Sequence, residues 1–422
     1  ALDRIYSHAG MYVELAEILQ RRIAVEMEPE LLVQLELRLA HTFEAYLGNI
    51  EQAIGAYTRV LDNEPGNAAA LERLEALYMS QHRWQELFDT YQKMVDVAHT
   101  DEDMAGCYQR MAKIAAEALD RETDAVDLWS KVLDLRGEDG LALSELANLH
   151  ERAQRWEELV EVLERLVYVV EDPQERVDAY QRLGRTYGEK LERDRQALDA
   201  WINALDIDAT NLETLETLKR LYEESQAWVE LIDILQRMVQ LPYGTMSGER
   251  LRDLWAQIGG IQGEYLMATD EAIAAWLQVL ALAAGDMQAL AALEELYTTE
   301  GRWNDAIKVL ERKVEVVEDD ESKIDVLMQV ASIWEEKLDN KDQAAGAYLE
   351  ILELRAGHPP ACDALEAIYR ETEQWEQLSE QLINRAEVTG EDQLEDKVNY
   401  LQQGAKVFEE KLGDLDSAFA VL

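Results

Sequence analysis

Only two cysteines, Cys107 and Cys362, occur in 422 residues, and their separation excludes a disulfide framework or a cysteine-based zinc site. Six prolines and the absence of any Ser/Pro-rich tract leave little room for linkers or disorder. Histidine is scarce too: those at positions 8, 41, 82, 99, 150 and 358 form no H-x-x-x-H or E-x-x-H pair, so no metal and no cofactor is expected. No apolar run is long enough to span a bilayer, and membrane insertion is not expected. No signal peptide opens the chain, and the expected location is the cytoplasm. Positive charge is the last shortage. Forty Lys and Arg stand against 87 Asp and Glu, a net charge of −47 whose field repels phosphate backbones and anionic membranes, so nucleic acid is not an expected partner.

What the chain has in abundance is repetition. Tyr12, Trp84, Trp156, Trp228, Trp303 and Trp375 recur at intervals of 72, 72, 72, 75 and 72 residues, mostly opening a W-x-E-L signature. A second aromatic set, Tyr57, Trp129, Trp201, Trp276 and Tyr348, keeps the same beat. A third pattern, L-x-x-L-x-x-L-Y, appears at Leu71, Leu74, Leu77 and Tyr78, and again at Leu290, Leu293, Leu296 and Tyr297. Apolar residues three and four apart describe one helical face, so each 72-residue unit is expected to hold four helices in two hairpins. The unit from Trp156 divides into helices Trp156 to about Val170, Gln174 to about Leu191, Arg195 to about Ile207 and Leu212 to about Ser225. About twelve hairpins result, forming one solenoid over residues 1–422, with both ends cut within a hairpin and uncapped. The three extra residues between Trp228 and Trp276 are placed in the segment 241–248, which is expected to bulge or bend the array.

These residues resemble the tetratricopeptide repeat family. Tyr180, Leu183, Gly184 and Tyr187 match the W-x-x-L-G-x-x-Y of its first helix, Ala197 and Trp201 the A-x-x-x-F of its second, and Pro65, after Ala53 and Tyr57, its closing proline. Half of 72 exceeds the family's usual unit, and Glu75 stands where the small glycine would be, which puts close helix packing there in doubt. The paired-hairpin form is similar to the long tetratricopeptide proteins of gliding and predatory bacteria. The resemblance implies a right-handed α-α superhelix whose first helices line a concave groove for an extended peptide or a partner's helix.

All ten tryptophans fall on repeat positions and are therefore expected to be packing residues. His150 occupies the place of Tyr78 and Tyr222 and is expected to be a packed substitute. Gly259, Gly260 and Gly263 imitate a phosphate loop but lie inside an expected helix with no strand before it. No nucleophile, base and orienting group come together, so catalysis is not assigned. One polar feature recurs beyond the needs of packing. Glu117, Glu189, Glu264, Glu336 and Glu410 share a position near the end of the first helix in alternate hairpins, where a carboxylate opposes the helix dipole. Lys113, Arg185 and Lys406 stand four residues before three of them and are expected to pair with them. By the resemblance this glutamate ladder borders the groove, and Arg185, Glu216, Arg220 and Glu223 complete the candidate protein-binding set. Acidic runs at the hairpin junctions, Asp101-Glu102-Asp103, Glu171-Asp172, Glu318 to Glu321 and Glu391-Asp392, are expected to form an edge strip, with one or two acids per junction serving as caps.

The expected function is a non-catalytic scaffold that binds a basic peptide or helix of a partner protein, in the groove or along the acidic edge. Two alternatives stay open: self-association of copies through uncapped ends into a filament, ring or coat, and a helical regulatory segment of a larger enzyme.

Overall fold

The helices start where local chemistry tells them to. Asn67, Asp139, Asp172, Asp286 and Asp319 precede their helices in extended backbone, and each side chain accepts a hydrogen bond from the N–H three residues on. Pro29, Pro173 and Pro359 are the first helical residues of theirs, where a missing N–H costs nothing. The computed structural model describes residues 2–390 and 393–422, so the acidic pair Glu391-Asp392 lies outside the described residues. Among the described residues there are 24 α-helices and no strand, the number that twelve hairpins require.

The chain falls into two compact units, Ala1–Leu218 and Lys219–Leu422. In the first, one 72-residue repeat comprises helices Trp84–Val97, Asp101–Glu117, Glu122–Arg136 and Gly140–Arg152. In the second, the corresponding helices are Trp303–Val316, Asp320–Ser332, Lys341–Leu354 and Pro359–Glu371. Within each unit a helix packs chiefly on the one before it and the one after it, the nearest-neighbour pattern of a solenoid.

The turns share one geometry that glycine content does not advertise. His82, Asp120, Gln154, Glu192, Gln226, Met267, Asp339 and Glu373 adopt left-handed backbone, with φ between 50° and 56°. Glycine fills the corresponding position only at Gly10, Gly48, Gly301 and Gly413. In half of these turns a wide hydrogen bond closes the helix, as where Arg121 N–H donates to the Ala115 carbonyl at 2.8 Å and Arg193 N–H to that of Tyr187 at 2.8 Å. A widened last turn precedes several of these ends, at Thr42–Tyr46, Thr186–Lys190, Ile333–Lys337 and Phe408–Leu412. The inserted residues lie in the 240–247 connection, where helix Trp228–Val239 stops at 12 residues against 14 for Trp156–Val169 and Ser247 caps the next helix.

The core is the aromatic and leucine frame. Tyr57, Trp129, Trp201, Trp276 and Tyr348 are buried, as are Leu71, Leu74, Leu77 and Tyr78. Each of these rings faces a small residue, which is Ala112 for the buried Trp129 and glycine for the other two tryptophans. A Cβ on Gly259 would sit 2.7 Å from the Trp276 indole nitrogen, and one on Gly184 would press still closer on Trp201. In the hairpins of Tyr57 and Tyr348 the same position is Ala40 and Ala331. There the ring meets a carboxylate: the Tyr57 hydroxyl donates to Glu44 at 2.7 Å and the Tyr348 hydroxyl to Glu335 at 3.1 Å. Ala116, Gly188 and Gly263 stand at the positions of Glu44 and Glu335 in the three tryptophan hairpins.

The close approach of the Trp201 ring predicts that Gly184→Ala destabilises the protein by about 1–3 kcal/mol through overpacking, and that adding Trp201→Tyr restores most of the loss. Denaturant midpoints of the two single variants and the double variant form the check. Simple additivity would show that the added methyl does not press on the Trp201 ring.

Candidate protein-interaction surface

The five ladder glutamates are all exposed. Glu117 and Glu264 end the helices Asp101–Glu117 and Gly248–Glu264, whereas Glu189, Glu336 and Glu410 lie in the widened turns. Of the ion pairs expected along the ladder, Lys406 meets Glu410 at 3.8 Å. Arg185 does otherwise: it pairs with Glu213 on helix Leu212–Glu224, the first helix of the following hairpin, and not with Glu189. Glu189 instead lies 3.9 Å from Lys190. On helix Leu212–Glu224, the exposed Arg220 and Glu223 pair with Glu224 at 3.2 Å and with Lys219 at 3.3 Å, and Glu216 is exposed as well.

The residue after four of the five ladder glutamates has a job that spacing alone did not disclose; Ala118, after Glu117, is the exception. Lys190, Lys337 and Lys411 place their ammonium groups 5.6, 5.7 and 4.5 Å from the ring centres of Trp156, Trp303 and Trp375. Tyr265 stacks on Trp228 at 4.3 Å, and Tyr46 on Tyr12 at 3.9 Å. These aromatics are thus half-buried, and all but Trp84, which meets His82, are covered on one side by Lys or Tyr, unlike the fully packed second set. That corrects the expectation of a uniform tryptophan core. The recurrence of Lys or Tyr on the beat was the available signal.

Glu75 also departs from expectation. At the small-residue position its carboxylate accepts the Tyr91 hydroxyl at 2.7 Å. Glu294 meets Lys313 at 2.8 Å, and Glu366 meets Arg385 at 2.8 Å, at the same repeat position. Each glutamate therefore crosses the hairpin to a partner on the second helix, so close packing survives with a polar link in place of glycine. The Glu366–Arg385 pair is nearly dry, with side chains 6% and 11% exposed, and Arg385 also bonds Asp363 at 2.7 Å and lies 4.4 Å from the Tyr400 ring centre.

At the junctions, structural duties take up part of the acidic runs. Thr100 rather than an acid caps the helix after it, while Asp172 and Asp319 cap theirs. Glu102 bonds Arg136 at 3.0 Å and Glu321 bonds Arg355 at 3.3 Å. Arginines are committed elsewhere in the same way: Arg59 to Glu36 at 2.8 Å, Arg182 to Glu151 at 2.6 Å and Arg193 to Glu157 at 2.7 Å. With 87 acids against 40 bases, internal use of the cations leaves exposed carboxylates in excess.

His150 is buried, its Nδ1 has no hydrogen-bond partner among the described residues, and burial lowers its pKa despite Glu158 nearby. Burial likewise pushes the Cys107 and Cys362 thiols up, which removes their nucleophilic character. Among the described residues no helix is long and apolar enough to cross a membrane.

Residues 142–177 and 289–324 match the tetratricopeptide repeat family, and both matches start at the same repeat position, Ala142 and Ala289. With the same frame recurring along the sequence, the chain is a tetratricopeptide-repeat protein. Among solved structures it is similar to MamA protein, at 19% identity over 43% of this chain and 94% of that one, with a TM-score of 0.31. It is also similar to YrrB, described as a TPR protein with an unusual peptide-binding site, at 18% identity, 44% and 91% coverage and a TM-score of 0.30. The C-terminal part of a TPR repeat-containing protein from Cytophaga hutchinsonii matches at 16% identity, with 61% and 98% coverage and a TM-score of 0.28. No curated protein matches the sequence.

Two outcomes follow from the buried polar groups. Arg385→Met should cost roughly 3 kcal/mol in unfolding free energy, since it leaves the buried Glu366 carboxylate with only the longer 3.4 Å contact to Arg370; a denaturant midpoint like that of the unsubstituted protein would show the pair to be idle. For His150 the folded-state value lies below the unfolded one, so the unfolded chain binds the proton more tightly. The penalty sets in below about pH 6.5 and grows until the pH passes the lower folded value. Between pH 7 and 5 the stability lead of His150→Tyr over the parent should therefore widen, as read from paired denaturation curves.

Proposed function

We propose that this protein is a non-catalytic interaction scaffold that binds a basic peptide or helix of a partner protein. The observation that carries this reading is the excess of exposed carboxylates left after the arginines have been used for internal pairs. Glu117, Glu189, Glu264, Glu336 and Glu410 offer exposed carboxylates at regular spacing, and Arg185, Glu216, Arg220 and Glu223 extend the polar set. Under this reading the repeats form one continuous array over residues 1–422 whose first helices line a groove, and the ladder runs along its border. Glu264 contributes most because no cation stands four residues before it and Tyr265, not lysine, follows it. The net charge steers a cationic segment to the surface, and desolvated contacts then set its register.

A fluorescein-labelled lysine-rich peptide should bind with an affinity that falls about tenfold or more between about 50 and 500 mM NaCl. Glu264→Lys combined with Glu336→Lys should weaken binding at low salt by a similar factor. Anisotropy titrations read both effects. Binding indifferent to salt and to these reversals would sink the proposal.

A further inference from the structure

Tyr108 and Tyr180 hold the same position one repeat apart, and so do Lys131 and Asn203. In the earlier repeat the Lys131 ammonium lies 5.1 Å from the centre of the Tyr108 ring, within the range at which a ring face attracts a cation. That repeat occupies its own aromatic site with its own lysine. In the later repeat asparagine has replaced the lysine, and an open cavity of about 440 Å³ is found there, with Tyr168, Tyr180, Tyr187, Glu164, Asp199 and Asn203 among its lining residues and no Lys or Arg.

The change involves more than a lost lysine. Tyr168 stands where the earlier repeat has Asp96, and Tyr187 where it has Ala115, so two further rings have been added around the vacated space. Tyr168 is 83% exposed, a costly place for a large ring that covers nothing of its own. The Tyr187 hydroxyl donates to Glu164 at 2.6 Å and fixes that carboxylate on the wall. Asp199, exposed on the opposite helix, repeats Asp127, which stands one turn before Lys131. Rings, two carboxylates and an apolar floor of Val167, Leu183 and Ala200 suit an aliphatic stem that ends in a cation.

We propose that this cavity anchors the primary ammonium of a lysine side chain supplied by a partner protein. The internal occupant of the sister site is a lysine, which decides between lysine and arginine. The partner's being a protein rests on the scaffold reading above; the ammonium specificity rests on the cavity.

The test uses the whole chain and saturation-transfer NMR with N-acetyl-lysine methylamide as probe and its norleucine counterpart as the uncharged control. The lysine probe should give a signal about fivefold stronger than the control. Asn203→Lys should supply the occupant from within, as Lys131 does next door, and abolish the difference; Tyr168→Ala should weaken it. Both positions are exposed, and a thermal melt of each variant confirms folding. Conversely, Lys131→Asn should add probe signal by opening the sister site. Equal signals from the two probes, or a lysine signal undiminished by Asn203→Lys, overturns the proposal. The peptide titration separates the two readings. Salt-sensitive peptide binding without probe capture rejects the pocket and keeps the scaffold, whereas probe capture without such binding does the reverse.

Discussion

Everything in this chain hangs on the fit between an aromatic ring on one helix and a small residue on the helix it faces. That fit sets how closely the two helices of a hairpin approach, and a solenoid copies any local spacing into each neighbouring interface. Gly184, Gly259 and Ala112 face indoles, Ala40 and Ala331 face phenols, and Glu44 and Glu335 accept the phenol hydroxyls. Burial and these acceptors together push the Tyr57 and Tyr348 hydroxyls well above the ordinary tyrosine range, which keeps them protonated donors. Where Glu75, Glu294 and Glu366 occupy the small position, the spacing is kept by a polar bridge across the hairpin instead.

The same economy governs charge. Arginines are directed inward or sideways, to Glu36, Glu102, Glu151 and Glu366, where they hold helices in place. Lysines at 190, 337 and 411 lie over tryptophan rings. Cations thus belong largely to the frame, and the unpaired negative charge is what the protein presents to its surroundings. An acidic surface on such a frame discriminates by attraction at a distance and by shape only at contact.

How much of this could be read from the sequence depends on whether a feature repeats and whether it is local. The helices around Trp156 follow apolar spacing and appear within a residue or two of where periodicity places them, and Pro173 and Asp172 mark a start by local chemistry. The glutamate ladder was visible for the same reason, as a position on the beat. Arg185 was misjudged because an i,i+4 partner is a local inference, whereas Glu213 comes near only through the packing of successive hairpins. The half-burial of Trp156 escaped notice because its cover, Lys190, reads in sequence as one more surface charge. The cavity beside Tyr180 required comparing repeats for what is missing, and Asn203 carries no signal unless Lys131 is set beside it.

The left-handed turns have a consequence for how the chain gives way under load. Eight of them force a residue with a side chain into backbone that costs about 1 kcal/mol each, whereas glycine relieves that cost at the other four hairpin tips. No single helix interior carries a comparable burden. Opening such a tip returns its strain, which makes these eight turns the places where the backbone itself favours release.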